Sequence, residues 1–405
     1  MSITALHELP TGWRWAKLGE VCKVNPSRPS LSRGDGEPTT FVPMSAISEE
    51  SGAIDRPELR SFRDIRKGYT YFEEGDVLFA KITPCMQNGK HAIARNLVGG
   101  FGFGTTELHV LRSGPEICPE WIHGYLRQPA ILQPATEHFT GTVGQQRLPE
   151  DFLVSLEIPL PPLAEQWRIA VVLREQMVVV ERARRNAEAQ LEAAQALPAA
   201  YLRAVFNGPE AQRWPRSRLG DLLDLRQEVV HPRDNPRGAA TFVGLEHIES
   251  GTGIRTGAKP VEMSELTGRK PRFYKGDIVY GYLRPYLNKV WVAEFDGLCS
   301  VDQYIYSVDA NKADTTFLSS FMRSPVFMQR APITTTPGQL PRIRTEEVAS
   351  VELNLPPLAD QRRVAAQLAE KLAGAERLRR TLEDQLATVE RLPAALLRQA
   401  FSGNL

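Results

Sequence analysis

Leu160-Pro161-Pro162-Leu163-Ala164-Glu165-Gln166-Trp167-Arg168-Ile169-Ala170 returns later in the chain as Leu355-Pro356-Pro357-Leu358-Ala359-Asp360-Gln361-Arg362-Arg363-Val364-Ala365, 195 residues on. The match resumes at the same offset. Leu197-Pro198-Ala199-Ala200 answers Leu392-Pro393-Ala394-Ala395, and Phe206-Asn207-Gly208 answers Phe401-Ser402-Gly403. Solenoid repeats have periods of roughly 20–50 residues, so the duplicated unit is a whole domain with a long helix attached. A protein repeated in this way suits a two-part target.

Working outward, the segments before each Pro-Pro stretch also match, more faintly and at an offset of 201. Lys17-Leu18-Gly19-Glu20 sets against Arg218-Leu219-Gly220-Asp221, Phe41-Val42 against Phe242-Val243, and Gly75-Asp76-Val77 against Gly276-Asp277-Ile278. The change of offset places net insertions or deletions of six residues between the Gly-Asp strand and the Pro-Pro helix. Retained helices with diverged loops are what a shared frame with different ligand contacts would give.

Downstream of each Pro-Pro pair the apolar residues step by three and four. Ile169, Leu173, Val180, Ala183, Ala187, Ala194 and Leu197 form one seam. Val364, Leu368, Ala375, Leu378, Leu382, Val389 and Leu392 form the second, with arginines and glutamates on the flanks. This a/d spacing predicts two long helices, and two matched stripes of equal length favour packing of these helices against each other. Pro162 and Pro357 suit a first helical turn, and Glu165 and Asp360 follow where a carboxylate favours the helix N-terminus. Pro198 and Pro393 are expected to break or kink the helices. Roughly 35 residues at about 1.5 Å each make a rod of about 50 Å.

The segments before the helices read as mixed α/β (α+β) domains. Short β-branched and aromatic runs over Asp76–Phe79, Glu107–Leu111, Asp277–Tyr280 and Gln303–Val308 alternate with Gly/Pro turns, and helical patches follow at Pro119–Arg127 and Thr315–Arg323.

A chain of 405 residues, 42% hydrophobic, has ample material for several cores. No stretch is long and apolar enough for a membrane span, and no signal peptide is readable at the N-terminus. Cys22, Cys85, Cys118 and Cys299 are scattered without zinc spacing, which suits reduced thiols in a cytoplasmic protein. Net charge is +1 overall. Residues 1–158 carry 16 basic and 19 acidic side chains, and residues 211–354 carry 19 and 17. Any nucleic-acid face is therefore a local patch, or a partner supplies much of the phosphate contact.

No catalytic constellation stands out. Phe101-Gly102-Phe103-Gly104 is read as a turn rather than an adenosylmethionine loop. Asn25-Pro26-Ser27 and Asn354-Leu355-Pro356-Pro357 both fail the Asn-Pro-Pro-aromatic pattern of adenine methyltransferases. There is no Gly-x-x-x-x-Gly-Lys phosphate loop and no nuclease carboxylate–lysine cluster. What is present is loop chemistry suited to DNA. One loop follows each Gly-Asp strand, with Lys81, Thr83, Gln87, Asn88 and Lys90 in the first copy and Tyr282, Arg284, Tyr286, Asn288 and Lys289 in the second. Another precedes each Pro-Pro helix, with Thr142, Gln145, Gln146 and Arg147 in the first copy and Thr335, Gln339, Arg342 and Arg344 in the second. Arg and Lys take guanine edges or phosphates, and Asn and Gln pair with adenine.

The doubled Pro-Pro-Leu-Ala-Glu/Asp-Gln helix start, the Leu-Pro-Ala-Ala near its end and the closing Phe-x-Gly resemble the conserved helical regions of type I restriction–modification specificity subunits. Trp13…Leu18-Gly19-Glu20 and Gly75-Asp76-Val77 resemble parts of their target-recognition domains. The resemblance implies a first recognition domain over 1–158, a central helical region over 159–208, a second recognition domain over 209–354 and a C-terminal helical region over 355–405. It implies two globular domains joined by two long antiparallel helices in a pseudo-two-fold repeat, each domain reading half of a bipartite double-stranded DNA site. Two methyltransferase subunits and motor-nuclease subunits are the implied partners. They would hold S-adenosylmethionine, ATP and Mg, while this chain carries no cofactor and no catalysis. The competing readings are a methyltransferase fragment, a coiled-coil protein scaffold, and an orphan or decoy specificity subunit.

Overall fold

The computed structural model describes residues 9–142, 146–234, 236–258, 260–334 and 340–405. The chain forms two compact units, residues 1–186 with 386–405 and residues 187–385.

The first unit runs β1 (Arg14–Lys17), α1 (Leu18–Val21), β2 (Cys22–Val24), β3 (Pro38–Val42), β4 (Glu58–Ser61), α2 (Phe62–Ile65), β5 (Thr70–Glu73), β6 (Val77–Ala80), β7 (His91–Ile93), β8 (Phe101–Gly104), β9 (Leu108–Ser113), α3 (Pro119–Leu126), α4 (Pro129–Ala135), α5 (Glu150–Ser155), β10 (Glu157–Leu160) and the start of α6 (Leu163–Asn207). One sheet has the order β2-β9-β6-β7 and a second β4-β3-β8-β5, in which β3 and β8 are parallel. Strand β6 shows why the layers stack. Val77 and Phe79 join the core under the helices, while Leu78 and Ala80 face Val42 and Phe72 of the second sheet. The period of two lets one strand serve both cores.

The second unit continues with β11 (Arg216–Arg218), β12 (Leu223–Leu225), β13 (Val229–Val230), β14 (Ala239–Val243), β15 (Pro260–Glu262), β16 (Lys270–Phe273), β17 (Ile278–Gly281), β18 (Val290–Val292), β19 (Gly297–Cys299), β20 (Gln303–Val308), α7 (Thr315–Met322), α8 (Pro325–Arg330), α9 (Thr345–Ser350), β21 (Glu352–Asn354) and α10 (Leu358–Phe401). Its sheets are β12-β20-β17-β18 and β13-β16-β19-β14-β15, again with one parallel pair, β14 with β19. Ile278 and Tyr280 of β17 face the helix-side core and Val279 the inter-sheet core. Both domains are thus α+β with the same strand order, the second adding β13 at one sheet edge, and two long helices join them.

The shared motifs explain themselves locally. A Cβ on Gly19 would meet Val154 at 2.8 Å, and one on Gly220 would meet Ala349 at 2.9 Å, so each Leu-Gly-Glu/Asp turn packs tightly on the helix before the Pro-Pro stretch. Gly75 and Gly276 take φ of +87° and +90°, where a Cβ is disfavoured. The next residue, Asp76 or Asp277, is buried and accepts a hydrogen bond from the backbone N–H three residues earlier. Arg112 grips Asp76 and Arg226 grips Asp277. Removing either carboxylate would leave an arginine half-buried without its partner.

Three expectations are corrected. Phe101–Gly104 is strand β8, not a turn: Cβ atoms at Gly102 and Gly104 would strike the Phe72 ring and the carbonyls of Thr40 and Val42. Of the break or kink expected at Pro198 and Pro393 the break is ruled out, because the helices run on through them for 45 and 44 residues in all. The turns beyond them are held by burial, Leu202 and Phe206 against Phe317 and Phe321 in the second unit, and Leu397, Ala400 and Phe401 against Trp121 and Tyr125 in the first. Tertiary packing outweighs the lost backbone hydrogen bond. Within the seams, Leu378 and Leu392 are exposed, while Ile169, Leu173, Val364, Leu368 and Leu382 are buried as spaced.

Candidate nucleic-acid interface

In the first unit, the loop after β6 and the loop before α5 are drawn together by backbone bonds. Thr83 N–H donates to the Gln146 carbonyl at 3.1 Å, Leu148 N–H to the Lys81 carbonyl at 2.9 Å, and Lys81 N–H to the Glu107 carbonyl at 2.9 Å. Ile82 and Thr140 each bridge Arg147. The second unit repeats the frame. Arg284 N–H donates to the Pro341 carbonyl at 2.8 Å, Ile343 N–H to the Tyr282 carbonyl at 3.3 Å, and Tyr282 N–H to the Asp302 carbonyl at 3.1 Å. Leu283 and Thr334 each bridge Arg342. This ladder fixes the correspondence: Lys81 with Tyr282, Thr83 with Arg284, Glu107 with Asp302, and Arg147 with Arg342.

On this common backbone the side chains differ. Arg147 is held by Glu107 through two hydrogen bonds of 2.8 Å, and the guanidinium pulls the Glu107 carboxyl below its ordinary range. Asp302, one methylene shorter, instead accepts from the Ser300 hydroxyl at 3.2 Å. Arg342 makes no side-chain hydrogen bond or ion pair among the described residues. Beside it Tyr282 stacks on Tyr304, ring centroids 4.2 Å apart and planes 15° from parallel. Burial, then the neighbouring Tyr282, pushes the Tyr304 phenol up to about 12, while Arg342 acts in the opposite sense. The charges of Arg342 and Arg269 likewise oppose the burial-driven rise at Tyr282. In the first unit the residue in the place of Tyr304 is His109, which turns inward to the Leu148 carbonyl at 2.8 Å and to Asn25. Among the described residues no group of three or more His, Cys, Asp or Glu side chains is placed to hold a metal.

The comparisons with known proteins bear on this paired frame. Residues 10–177 match a family model described as a type I restriction modification DNA specificity domain. The chain is 35% identical over 206 residues to the type I restriction enzyme EcoEI specificity subunit of Escherichia coli, covering 51% of this chain and 34% of that one. It is 34% identical over 214 residues to the EcoAI specificity subunit of the same organism, covering 52% and 36%. The chain thus spans about a third of the length of these curated relatives. Its fold is similar to a chain from a structure concerned with complex assembly and conformational transition of the type I R-M system, with TM-score 0.77, 23% identity, and 99% and 100% of the two chains covered. It is also similar to the crystal structure of the HsdS subunit from Thermoanaerobacter tengcongensis, with TM-score 0.66, 23% identity and 99% of each chain covered. Residues 10–177 thus carry a type I restriction modification DNA specificity domain, and the chain as a whole has a fold similar to that of an HsdS subunit.

Within the chain the sequence-derived candidates fall into three groups. Lys81, Thr83, Gln146 and Arg147 of the first domain share one frame, as do Tyr282, Arg284 and Arg342 of the second, with Arg344 exposed two residues on and Thr142 exposed beside the first. Gln87, Asn88 and Tyr286 are exposed on the same loops; Gln87 accepts from the Thr83 hydroxyl at 3.1 Å and Asn88 donates to Glu49 at 3.3 Å. Lys90, Asn288 and Lys289 point inward instead. The Lys90 ammonium reaches the Ile47 carbonyl at 3.1 Å, Lys289 reaches the Leu245 carbonyl, and Asn288 donates to the Arg323 carbonyl at 2.6 Å. These three brace the loops. Gln145, Thr335 and Gln339 lie outside the described residues. Sequence reasoning missed Glu107, Tyr304 and Arg269, which come from strands and a turn remote in the chain. The duplicated position of Glu107 and Asp302 was the available signal.

Proposed function

We propose that this chain reads a bipartite double-stranded DNA target, one half per domain, as the non-catalytic specificity factor of a type I restriction–modification enzyme. The observation that supports the reading is the twice-built frame. The same backbone ladder presents different side chains in each domain, which is what reading two unlike half-sites calls for. Recruitment of two adenine-N6 methyltransferase subunits and of motor-nuclease subunits belongs to the same proposal, with S-adenosylmethionine, ATP and Mg carried by those partners. A partner surface is supported by α6, where Leu163, Trp167, Val171 and Val178 are all exposed. At 3.6 residues per turn they fall within about 80° of arc, an apolar stripe on a free helix face. No helix among the described residues is long and apolar enough to cross a membrane, and the proposed setting is the cytoplasm, where the DNA is.

The test is a genome-wide N6-methyladenine map of the host with and without this gene. Loss of one motif with two short specific halves around a fixed gap is the expected result. An unchanged map overturns the working role and leaves an orphan or decoy subunit.

A further inference from the structure

We infer that the two domains contribute unequally to DNA binding, the second acting as the electrostatic anchor through Arg284 and Arg342, and the first presenting a neutralised equivalent. The inference rests on the proposal that the paired frames face DNA and goes beyond it in assigning phosphate contact to one of them.

Three observations carry it. First, the equivalent arginines differ in their pairing. Arg147 is spent on Glu107 in a bidentate pair, whereas Arg342 has no carboxylate partner among the described residues, because Asp302 is turned to Ser300. Second, the frames exchange cations at two places: Lys81 gives way to Tyr282, and Thr83 to Arg284, which is exposed and has no side-chain partner among the described residues. Arg269 adds a further exposed cation acting on the Tyr282 ring. The carboxylates nearby accept from neutral donors, Glu347 from Thr334 and from the Arg344 N–H and Glu346 from Thr345, and neither forms an ion pair with Arg342 among the described residues. Third, Arg284 holds a left-handed backbone, φ 51° and ψ 61°, immediately before Pro285. A β-branched or long side chain is disfavoured there, and the residue before a proline prefers an extended backbone. Strain of this kind collects at binding sites. The bond from the Arg284 N–H to the Pro341 carbonyl holds this backbone beside Arg342.

An arginine on a phosphate displaces condensed counterions, so each such contact steepens the plot of log Kobs against log salt by about 0.9. The experiment measures that slope for the full chain bound to its methyltransferase partner, on a mixed-sequence duplex and on the duplex carrying the mapped target. Arg284→Ala and Arg342→Ala are each expected to flatten the slope by about 0.9 on both duplexes. Glu107→Gln, which removes the carboxylate charge paired with Arg147, is expected to steepen it by a similar amount. Unchanged slopes for Arg284→Ala and Arg342→Ala, with the unsubstituted complex still binding its target, overturn this inference alone. So does an unchanged slope for Glu107→Gln. Failure of the unsubstituted complex to bind either duplex overturns the DNA-reading proposal and this inference with it. Thermal unfolding of each variant separates a lost contact from a lost fold, and the gain expected of Glu107→Gln cannot arise from misfolding.

Discussion

Gln166 and Gln361, 195 residues apart, are both fully buried and make the same three hydrogen bonds, each within its own unit. Gln166 accepts from the Cys118 N–H at 2.9 Å and donates to the carbonyls of Glu116 at 2.8 Å and Pro161 at 2.9 Å. Gln361 accepts from the Asp314 N–H at 2.8 Å and donates to Lys312 at 3.3 Å and Pro356 at 2.8 Å. Each ties the first turn of a long helix to the loop that starts the domain's main helix, α3 or α7. The glutamine of the Pro-Pro-Leu-Ala-Glu/Asp-Gln motif is therefore a structural clasp.

Replacing either clasp with leucine leaves an N–H and two carbonyls without partners in a dry site. Each orphaned group costs about 1–3 kcal/mol, so Gln166→Leu and Gln361→Leu should each destabilise their own unit by about 3 kcal/mol or more. Thermal unfolding should show a lowered transition for either variant. A shift of less than one degree would show that the clasp is dispensable.

Acid should act on the first unit before the second. His91 is fully buried, stacked on Phe79 at 4.0 Å, with neither ring nitrogen hydrogen-bonded among the described residues. Burial first, then the charges of His123 and Arg127, holds it well below the usual histidine range. His123, which keeps part of its surface exposed, is pushed down to about 4 by burial and by Arg127. In the unfolded chain both titrate near 6.5. Their contribution is thus fully present above about pH 6.5 and is lost as pH falls toward the folded values, at about 1.4 kcal/mol per pH unit for each histidine kept neutral. At the place of His91 the second unit has Val290, also fully buried. His91→Val should flatten the fall in stability between pH 6.5 and 4.5. An identical fall in the variant would assign the acid sensitivity to other groups.

Much of this was legible in the sequence because the duplication exposed it. The repeated helix starts, the Gly-Asp strands and the loop pairs fell where the spacing placed them. β20 matched Gln303–Val308, and α3 and α7 ended one residue short of the expected Arg127 and Arg323. The misreadings share one cause: local propensity was followed where packing decides. Gly102 and Gly104 read as a turn because glycine usually signals one, yet each makes room in a sheet for a neighbouring ring and a carbonyl. Pro198 and Pro393 read as breaks or kinks, and the helices are not broken there, with Phe206 and Phe401 beyond them buried. Lys90 and Lys289 read as DNA contacts from their charge, but their ammonium groups cap backbone carbonyls. The Glu107–Arg147 pair, 40 residues apart in the chain, follows from no local pattern.

Gly19 and Gly220 give a prediction that tests the motif itself. A Cβ at Gly19 would sit 3.0 Å from the Val154 carbonyl oxygen and 2.8 Å from its side chain, and one at Gly220 would sit 2.9 Å from the Ala349 Cβ. Gly19→Ala and Gly220→Ala should each destabilise by about 1–3 kcal/mol through overpacking. Val154→Ala should partly rescue Gly19→Ala, because it removes the methyl group nearest the new atom. Absence of rescue in the double variant would place the cost in the backbone rather than in that contact.

Arg284 sets stability against binding at one residue. Its left-handed backbone costs about 1–2 kcal/mol for a residue with a Cβ and costs little for glycine. The greater freedom of glycine in the unfolded chain returns about 0.5–1 kcal/mol of that. Arg284→Gly should therefore stabilise the second unit by up to about 1 kcal/mol, while Arg284→Ala, which keeps the Cβ, should leave stability near its starting value. Both remove the guanidinium, so both should flatten the salt dependence of DNA binding equally. Chemical denaturation followed by tryptophan fluorescence, with Trp291 in the inter-sheet core of this unit, reads the first quantity, and titration against salt reads the second. If glycine proved no more stable than alanine at this position, the left-handed backbone would carry no strain.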